Sequence, residues 1–308
     1  LFPALVRAGY PEKFSLGLVT TSGSLGLLLA PSLPLIIYGV IVQQMDLPKP
    51  FAMRELFLAG LLPALLMILM LTIYSVWSNR DLGLSHKKFS KAEVWAAWID
   101  MRWEIPLPFL VLGGIYSGIF AVSEAAAVAA LYILVIETLV LREVKLSKLF
   151  SITVDAMVMV GGILLILGVS LAFTNYLIDA QIPQYLFTST QSFITNKYTF
   201  LILLNLLLLA LGAILDIFSA LVIMVPLIVP LALAFGVDPV HLGIIFLANM
   251  QIGYFTPPIG MNLFIASYRF KRPIMELYSA TLPFMIVLLS ALLLITYFPE
   301  LSLILLDR

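Results

Sequence analysis

Residues 253–260 read GYFTPPIG, two glycines bracketing a threonine and a proline pair in the midst of otherwise apolar sequence. Proline carries no N–H and pushes the preceding helical turn out of line, so a helix entering this stretch does not leave it unbroken. The surroundings make the break informative. Of 308 residues, 62% are hydrophobic and 11% charged, whereas about a quarter are charged in a soluble domain; mean hydropathy is +1.10. Runs such as Leu56–Trp77 and Leu282–Phe298 have the length needed to cross hydrocarbon. They are continuous and rich in Leu, Ile, Ala and Met rather than alternating, which predicts helices and not the strands of a barrel. The expected fold class is an all-α polytopic membrane protein. Cysteine is absent and the formal net charge is zero, which excludes a disulfide framework, a thiolate metal site and a cysteine nucleophile, and offers no basic face to nucleic acid.

The break has a counterpart. One constant shift of the chain lays Pro3, Gly9, Gly26 and Pro31 onto Pro230, Gly236, Gly253 and Pro258, and ELFLAGLLP (55–63) then faces ELYSATLP (276–283) once unequal loops are allowed. The order of these residues predicts a structural repeat, its second copy running from near Trp95 to near Phe298. The opening LFPALVRAGYPEKF has neither an initiator methionine nor a basic n-region with a cleavage site, and the expectation is that part of the first copy precedes Leu1.

Positive charges give an orientation. One threading puts Arg7 and Lys13, the loop 80–102, REVKLSK (142–148) and RFKR (269–272) on the cytoplasmic side, leaving Lys49, Arg54, Lys197 and Arg308 outside. Residues 104–141 must then go out and return, with a turn near Gly118–Ser123, because one helix there would run about 57 Å against about 30 Å of hydrocarbon. Residues 198–235 must enter and leave on the same side as a re-entrant hairpin with its tip near Gly212–Asp216. Such backbone is tolerated only where protein or a cavity covers it. The two copies then run in opposite senses, as in the inverted repeats of secondary transporters, whose site lies between discontinuous helices.

The chemistry of the breaks follows. Pro257 and Pro258 are expected to free the carbonyls of Gly253 and Tyr254, and Pro31 and Pro34 those of Leu27 and Ala30. An unsatisfied carbonyl in hydrocarbon costs several kcal/mol, and a hard cation such as Na⁺ is a fitting partner. The half-helix starts at Ile259–Met261 and Ser32–Leu35 offer N–H groups and positive dipole to an anion. The alternative is a proline kink relieved by hydroxyls or neighbouring helices; two related breaks facing opposite ways weigh against it.

Four segments carry a family resemblance: SGSLGLLLAPSLPLIIYG (22–39), GGIYSGIFAVSEAAAVAALY (113–132), LGAILDIFSALVIMVPLIVP (211–230) and GVDPVHLGIIFLANMQIGYFTPPIGMNLF (236–264). Together they resemble the large membrane subunit of the TRAP (tripartite ATP-independent periplasmic) transporters over essentially the whole chain. Two local departures are LLLAPS, where the family usually has Ile-Pro-Pro-Ser, and FAVSEA, where Phe-Thr-Pro-Thr-Glu-Ala is common; Ala30 keeps an N–H that proline would remove and softens the first break. The resemblance implies an inner-membrane, Na⁺-coupled importer of organic acids such as C4-dicarboxylates or sialic acid. It would work with a small membrane subunit and a periplasmic substrate-binding protein, use Na⁺ as coupling ion with no cofactor, and slide a transport domain against a scaffold as an elevator. The expected division is 1–53 (end of the first hairpin and first broken helix), 54–103 (scaffold and interfacial helices), 104–175 (scaffold), 176–275 (second hairpin and second broken helix) and 276–308 (C-terminal scaffold helix). The family's first hairpin and some substrate contacts would precede Leu1.

The candidate sodium-binding set is Ser24, Gly26, Pro31, Gly212, Asp216, Gly253, Thr256 and Met261; the candidate substrate set is Ser32, Pro258, Gly260 and Asn262. Asp216 has two compatible readings, N-cap of the returning hairpin arm and sodium ligand beside Thr256 and the carbonyls of Gly212 and Gly253. A carboxylate at such depth requires a partner. Glu124 reads as the first-turn acid of a capped helix. Asn249, Gln251 and Asn262 flank the second break and read equally as site lining or helix-to-helix hydrogen bonding. His241 is placed in a surface loop, and Trp95, Trp98 and Trp103 on an amphipathic interfacial helix. An aspartyl protease would need two convergent carboxylates, which Asp216 and Glu124 do not supply, and no span has the polar stripe of a channel. The serious alternative is a stand-alone Na⁺ or H⁺/carboxylate carrier of related architecture.

Overall fold

The computed structural model describes residues 1–29, 31–45, 50–80, 90–181, 185, 188, 194 and 196–306. Ala30, whose carbonyl was expected to be freed, lies outside the described residues, as do Lys49, Arg308 and positions 81–89 of the basic loop. The elements are α1 (Phe2–Arg7), α2 (Glu12–Ser22), a 3₁₀ turn (Leu25–Leu28), α3 (Leu33–Gln43), α4 (Met53–Ser78), α5 (Lys91–Asp100), α6 (Pro106–Tyr116), α7 (Val122–Val135), a π turn (Ile136–Val140), α8 (Leu146–Asp179), α9 (Lys197–Ile214), α10 (Ile217–Ala234), α11 (Pro239–Gly253), α12 (Met261–Phe270), α13 (Ile274–Tyr297) and α14 (Glu300–Leu303). Among the described residues Glu12–Gln43, Met53–Ser78, Val122–Val140, Lys197–Ile214, Ile217–Ala234 and Ile274–Tyr297 are long and apolar enough to cross a membrane. The protein is an all-α polytopic membrane protein. Its contacts divide it into one compact unit of 1–85 and 169–308 and another of 86–168.

In the unit 86–168, the excursion expected between 104 and 141 is present as α6 and α7, joined across 117–121 with Gly118 at φ +75°. The Glu124 carboxylate accepts the Ala121 N–H at 2.9 Å, so the acid caps α7 as expected. α5 starts at Ser90, whose Oγ accepts the Glu93 N–H at 3.3 Å, and leaves Trp95 and Trp98 exposed. Trp103 lies beyond its end, its carbonyl accepting the Tyr132 hydroxyl at 2.8 Å.

The larger unit is organised around α11, every residue of which is buried. Asp238 caps it by accepting the Val240 N–H at 2.8 Å, and Pro239 occupies the first helical position, where no N–H is required. His241 therefore sits within the first turn of a buried helix and not in a surface loop. Its Nε2 lies 3.3 Å from the Thr296 carbonyl, an acceptor only, so Nε2 carries the proton; Nδ1 lies 3.1 Å from Ser302 Oγ. An Asp-Pro start is a helix signal, and that signal overrides the loop reading. One turn before the break, the Asn249 amide donates to Asn205 Oδ1 at 2.7 Å, and Asn205 donates to Thr296 Oγ1 at 3.1 Å. Asn249 thus ties α9, α11 and α13 together, the helix-to-helix role of its two readings.

The repeat is visible in local geometry. Gly9 and Gly236, superposed by the sequence shift, both have positive φ (+92° and +71°). Each ends its helix with the same pair of bonds: Gly9 N to Val6 O and Tyr10 N to Leu5 O at 3.0 and 3.1 Å, Gly236 N to Leu233 O and Val237 N to Ala232 O at 2.9 Å each. Packing is exchanged between the copies. A Cβ on Gly17 of α2 would stand 2.2 Å from the carbonyl oxygen of Ala280 in α13, while one on Gly60 of α4 would stand 2.4 Å from the Leu28 carbonyl oxygen and 3.7 Å from Cδ1 of Ile244 in α11. Gly17 corresponds to Ile244, and Gly60 and Ala280 lie in the facing ELFLAGLLP and ELYSATLP segments, so the two contacts join related elements. α4 and α13 accordingly pack on the broken helices within one unit.

Candidate functional site

Both breaks form where the prolines put them. At the second, α11 stops at Gly253, and Tyr254, Phe255 and Thr256 donate their N–H groups to Met250, Ile252 and Gly253 carbonyls at 3.0, 3.1 and 3.0 Å. Asn262 N–H, at the start of α12, reaches back to Tyr254 O at 2.8 Å. The carbonyls of Gly253 and Tyr254, expected to be free, therefore each accept one bond: the chain turns tightly enough after each proline-starved carbonyl to bring up another amide. Each keeps a second lone pair. At the first break Ser24 and Gly26 carbonyls accept from Leu27 and Leu29 at 3.1 and 3.2 Å. Ser32, in extended backbone, starts α3.

The expected hairpin is present, α9 and α10 turning at Leu215–Asp216. Its tip meets the second break. A Cβ on Gly253 would stand 2.6 Å from Gly212 Cα, so only glycine allows these backbones to approach. Gly260, at φ +50°, donates its N–H to Ala213 O at 3.1 Å, which uses one of the amides expected to await an anion. The tip thus meets the middle of the α11–α12 segment.

Asp216 caps α10: Oδ2 accepts the Phe218 and Ser219 N–H groups at 3.0 Å each, and Oδ1 accepts the Ser219 hydroxyl at 2.5 Å. This satisfies the requirement for a partner at depth and leaves acceptor capacity on Oδ1. Thr256 turns its hydroxyl back to Ile252 O at 2.8 Å, with Met285 Sδ a longer second acceptor at 3.6 Å. Met261 and Pro258 are exposed at the start of α12 and in the break, and the Tyr278 hydroxyl donates to Pro258 O.

The two breaks are brought together. The Asn262 side-chain amide reaches the Thr20 carbonyl at 3.4 Å, and a cleft of about 200 Å³ opens beside them, lined by residues that include Val19, Thr20, Gly23, Asn262, Ala266 and Arg269. Thr20, which lines this cleft, has a buried Oγ1 without a partner; Ser32 Oγ, Asn249 Oδ1 and Gln251 Oε1 are likewise buried and unpartnered on the segments that carry the breaks. Ser24 is buried with its hydroxyl 3.3 Å from Thr21 O, whereas Pro31 is exposed. Gln251 donates to Met67 Sδ at 3.0 Å. Orphaned buried oxygens are the donor type a hard cation takes. Among the described residues no group of three acidic or histidine side chains could hold a metal. Sequence reasoning named Tyr254 for its carbonyl alone and passed over its hydroxyl, which accepts the Ile217 N–H at 3.0 Å, and passed over Tyr278 altogether. Asn205, a polar residue set in LILLNLLLLALGA, was the most legible of the missed ones.

A polytopic helical protein with two broken helices, and a hairpin whose tip meets one break, has features that secondary transporters use to build a site. The family model for the DctM component of the tripartite ATP-independent periplasmic transporters matches residues 1–301, and the chain belongs to that family. It is 35% identical to the isethionate TRAP transporter permease protein DctMQ of Oleidesulfovibrio alaskensis, over 96% of this chain and 46% of that protein. It is 35% identical to the C4-dicarboxylate TRAP transporter large permease protein DctM of Rhodobacter capsulatus, over 98% and 71% respectively. To the sialic acid TRAP transporter large permease protein SiaM of Vibrio cholerae it is 34% identical, over 97% and 68%. The chain therefore spans less than half of the first of these relatives and about 70% of the others. These relatives are permeases, not enzymes, and family membership makes this a multi-pass inner-membrane protein.

Proposed function

We propose that the chain is the large permease part of a binding-protein-dependent, Na⁺-coupled importer of small organic acids, moving its cargo by an elevator mechanism. Its partners in this reading are a small membrane subunit and a periplasmic substrate-binding protein. The observation that carries it is the closure of the hairpin tip on the second break beside Asp216. The relatives named for isethionate, C4-dicarboxylates and sialic acid share an anionic head group, which supports an organic anion as cargo.

Sodium is drawn to the Asp216 carboxylate, the Gly212 carbonyl and the second lone pair of the Gly253 carbonyl, with Thr256 and Met261 beside them; Ser24, Gly26 and Pro31 frame the related position at the first break. A cation there neutralises Asp216, and the anion then occupies Ser32, Pro258, Gly260 and Asn262 without meeting a like charge. Unit charges 4 Å apart interact by about 4 kcal/mol at an effective permittivity of 20, so the order of binding is cation first. The transport domain, expected at 1–53 and 176–275, takes in α4 and α13 in this reading, because Gly17, Gly60 and the Asn205–Thr296 bond pack them backbone-close on the broken helices.

The test uses the complete chain with its small subunit in proteoliposomes. Uptake of labelled isethionate, C4-dicarboxylate and sialic acid is followed with and without an inward Na⁺ gradient and the binding protein. Uptake that needs both is expected. Gradient-driven uptake without the binding protein would make this a stand-alone carboxylate carrier, and uptake driven by a proton gradient would assign Asp216 a proton in place of sodium.

A further inference from the structure

We infer that Tyr254 is a positioning residue that holds the hairpin tip shut on the second break, an assignment that rests on the proposed transport function. The inventory of amides at the tip leads to it. α10 opens with the N–H groups of Ile217, Phe218 and Ser219, none of which has an intrahelical partner. Asp216 Oδ2 takes those of Phe218 and Ser219, and the Ala220 N–H bonds to the Asp216 carbonyl at 3.0 Å. The Ile217 N–H is left over, and the Tyr254 hydroxyl accepts it at 3.0 Å. Tyr254 thus completes a cap that Asp216 begins, but from the other side of the junction.

Tyr254 is also anchored to both sides of the break. Its N–H donates to Met250 O at 3.0 Å in α11, and its carbonyl accepts the Asn262 N–H at 2.8 Å from α12. The other ties between tip and break are backbone ones, Gly260 N to Ala213 O and the approach of Gly212 to Gly253. Among the described residues the phenol supplies the one side-chain hydrogen bond from the break to Ile217 at the tip. An amide without a partner in an apolar setting costs more than the bond itself is worth. Removing the hydroxyl therefore favours tip conformations in which Ile217 N–H reaches water, and these are conformations in which the Asp216 peptide has left its place.

These 308 residues contain no cysteine, so Leu215→Cys gives one reporter within them, at the tip, once any cysteine elsewhere in the complete chain or its small subunit is replaced by serine. In that background, in the complete chain with its small subunit, Tyr254→Phe keeps the ring and deletes the acceptor. The expected result is labelling of the cysteine by a membrane-impermeant maleimide about fivefold faster, from loss of one neutral hydrogen bond. Substrate half-saturation for uptake should rise by a similar factor at an unchanged maximal rate. Labelling rates equal within about twofold would overturn the inference, and so would faster labelling with an unchanged half-saturation, since the bond would then be structural only. Should uptake by the unsubstituted protein prove independent of sodium and of the binding protein, the proposed function falls while the labelling and half-saturation comparison still decides the role of Tyr254.

Discussion

Replacing Asp216 by asparagine separates its two roles. The carboxylate accepts two amides at 3.0 Å on Oδ2 and the Ser219 hydroxyl on Oδ1. Asparagine caps helices as well as aspartate does; its Oδ1 keeps the two amides, and Ser219 turns its hydroxyl to accept from Nδ2. The change from charge-assisted to neutral bonds costs roughly 1 kcal/mol of stability. For a bound cation the loss is larger. A carboxylate and a monovalent ion about 4 Å apart attract by about 4 kcal/mol at an effective permittivity of 20. If relief of desolvation returns about half of that, about 2 kcal/mol remains, or a roughly 30-fold rise in the sodium concentration for half-maximal uptake. The assay is initial-rate uptake against external Na⁺ in proteoliposomes, with thermal unfolding in detergent run on the same preparation. A sodium curve that coincides with that of the unsubstituted protein would refute the reasoning and leave Asp216 as a cap alone.

Three further substitutions are informative. Thr256→Val should raise the sodium requirement in the same direction but by only about three- to fivefold, because the hydroxyl proton is already committed to Ile252 O and only its acceptor side is lost; uptake titrations against Na⁺ check it. Pro258→Ala restores an N–H that competes with Asn262 for the Tyr254 carbonyl, so uptake should fall sharply while the protein still inserts, and rates equal to the unsubstituted protein would undercut the broken-helix account. His241→Ala leaves the Thr296 carbonyl and Ser302 hydroxyl without their buried partner; a loss of about 2–4 kcal/mol is expected in thermal unfolding, against about 0.5 kcal/mol for a surface histidine.

The architecture was legible because its signals are punctuation in apolar sequence. Pro257 and Pro258 had to break a helix, and the hairpin tip was expected at Gly212–Asp216 because an uninterrupted run would have put RFKR on the wrong side. What could not be read were the partners of the exposed backbone. That Gly253 O would accept from Thr256 N, and Tyr254 O from Asn262 N, depends on how tightly the chain turns after the break, which no propensity encodes. The same limit hid Tyr254: a tyrosine beside a glycine is unremarkable in sequence, and its hydroxyl acquires a role only because the tip of another segment delivers an unpaired amide 3.0 Å away. His241 was expected in a loop because Asp238 and Pro239 precede it, whereas the same Asp-Pro pair caps and starts a helix.

The exchanged contacts bear on how the site is held. Each broken helix packs on the helix that follows the break in the other copy, Gly17 on Ala280 and Ile244 toward Gly60. Close-packed interiors transmit strain and do not deform continuously, so a shift at one break is carried to the other through these paired contacts and through Asn262 at Thr20. The orphaned oxygens of Thr20, Ser32, Asn249 and Gln251 lie on those same helices and their caps. Satisfying them at one break is therefore expected to stiffen the framework of both.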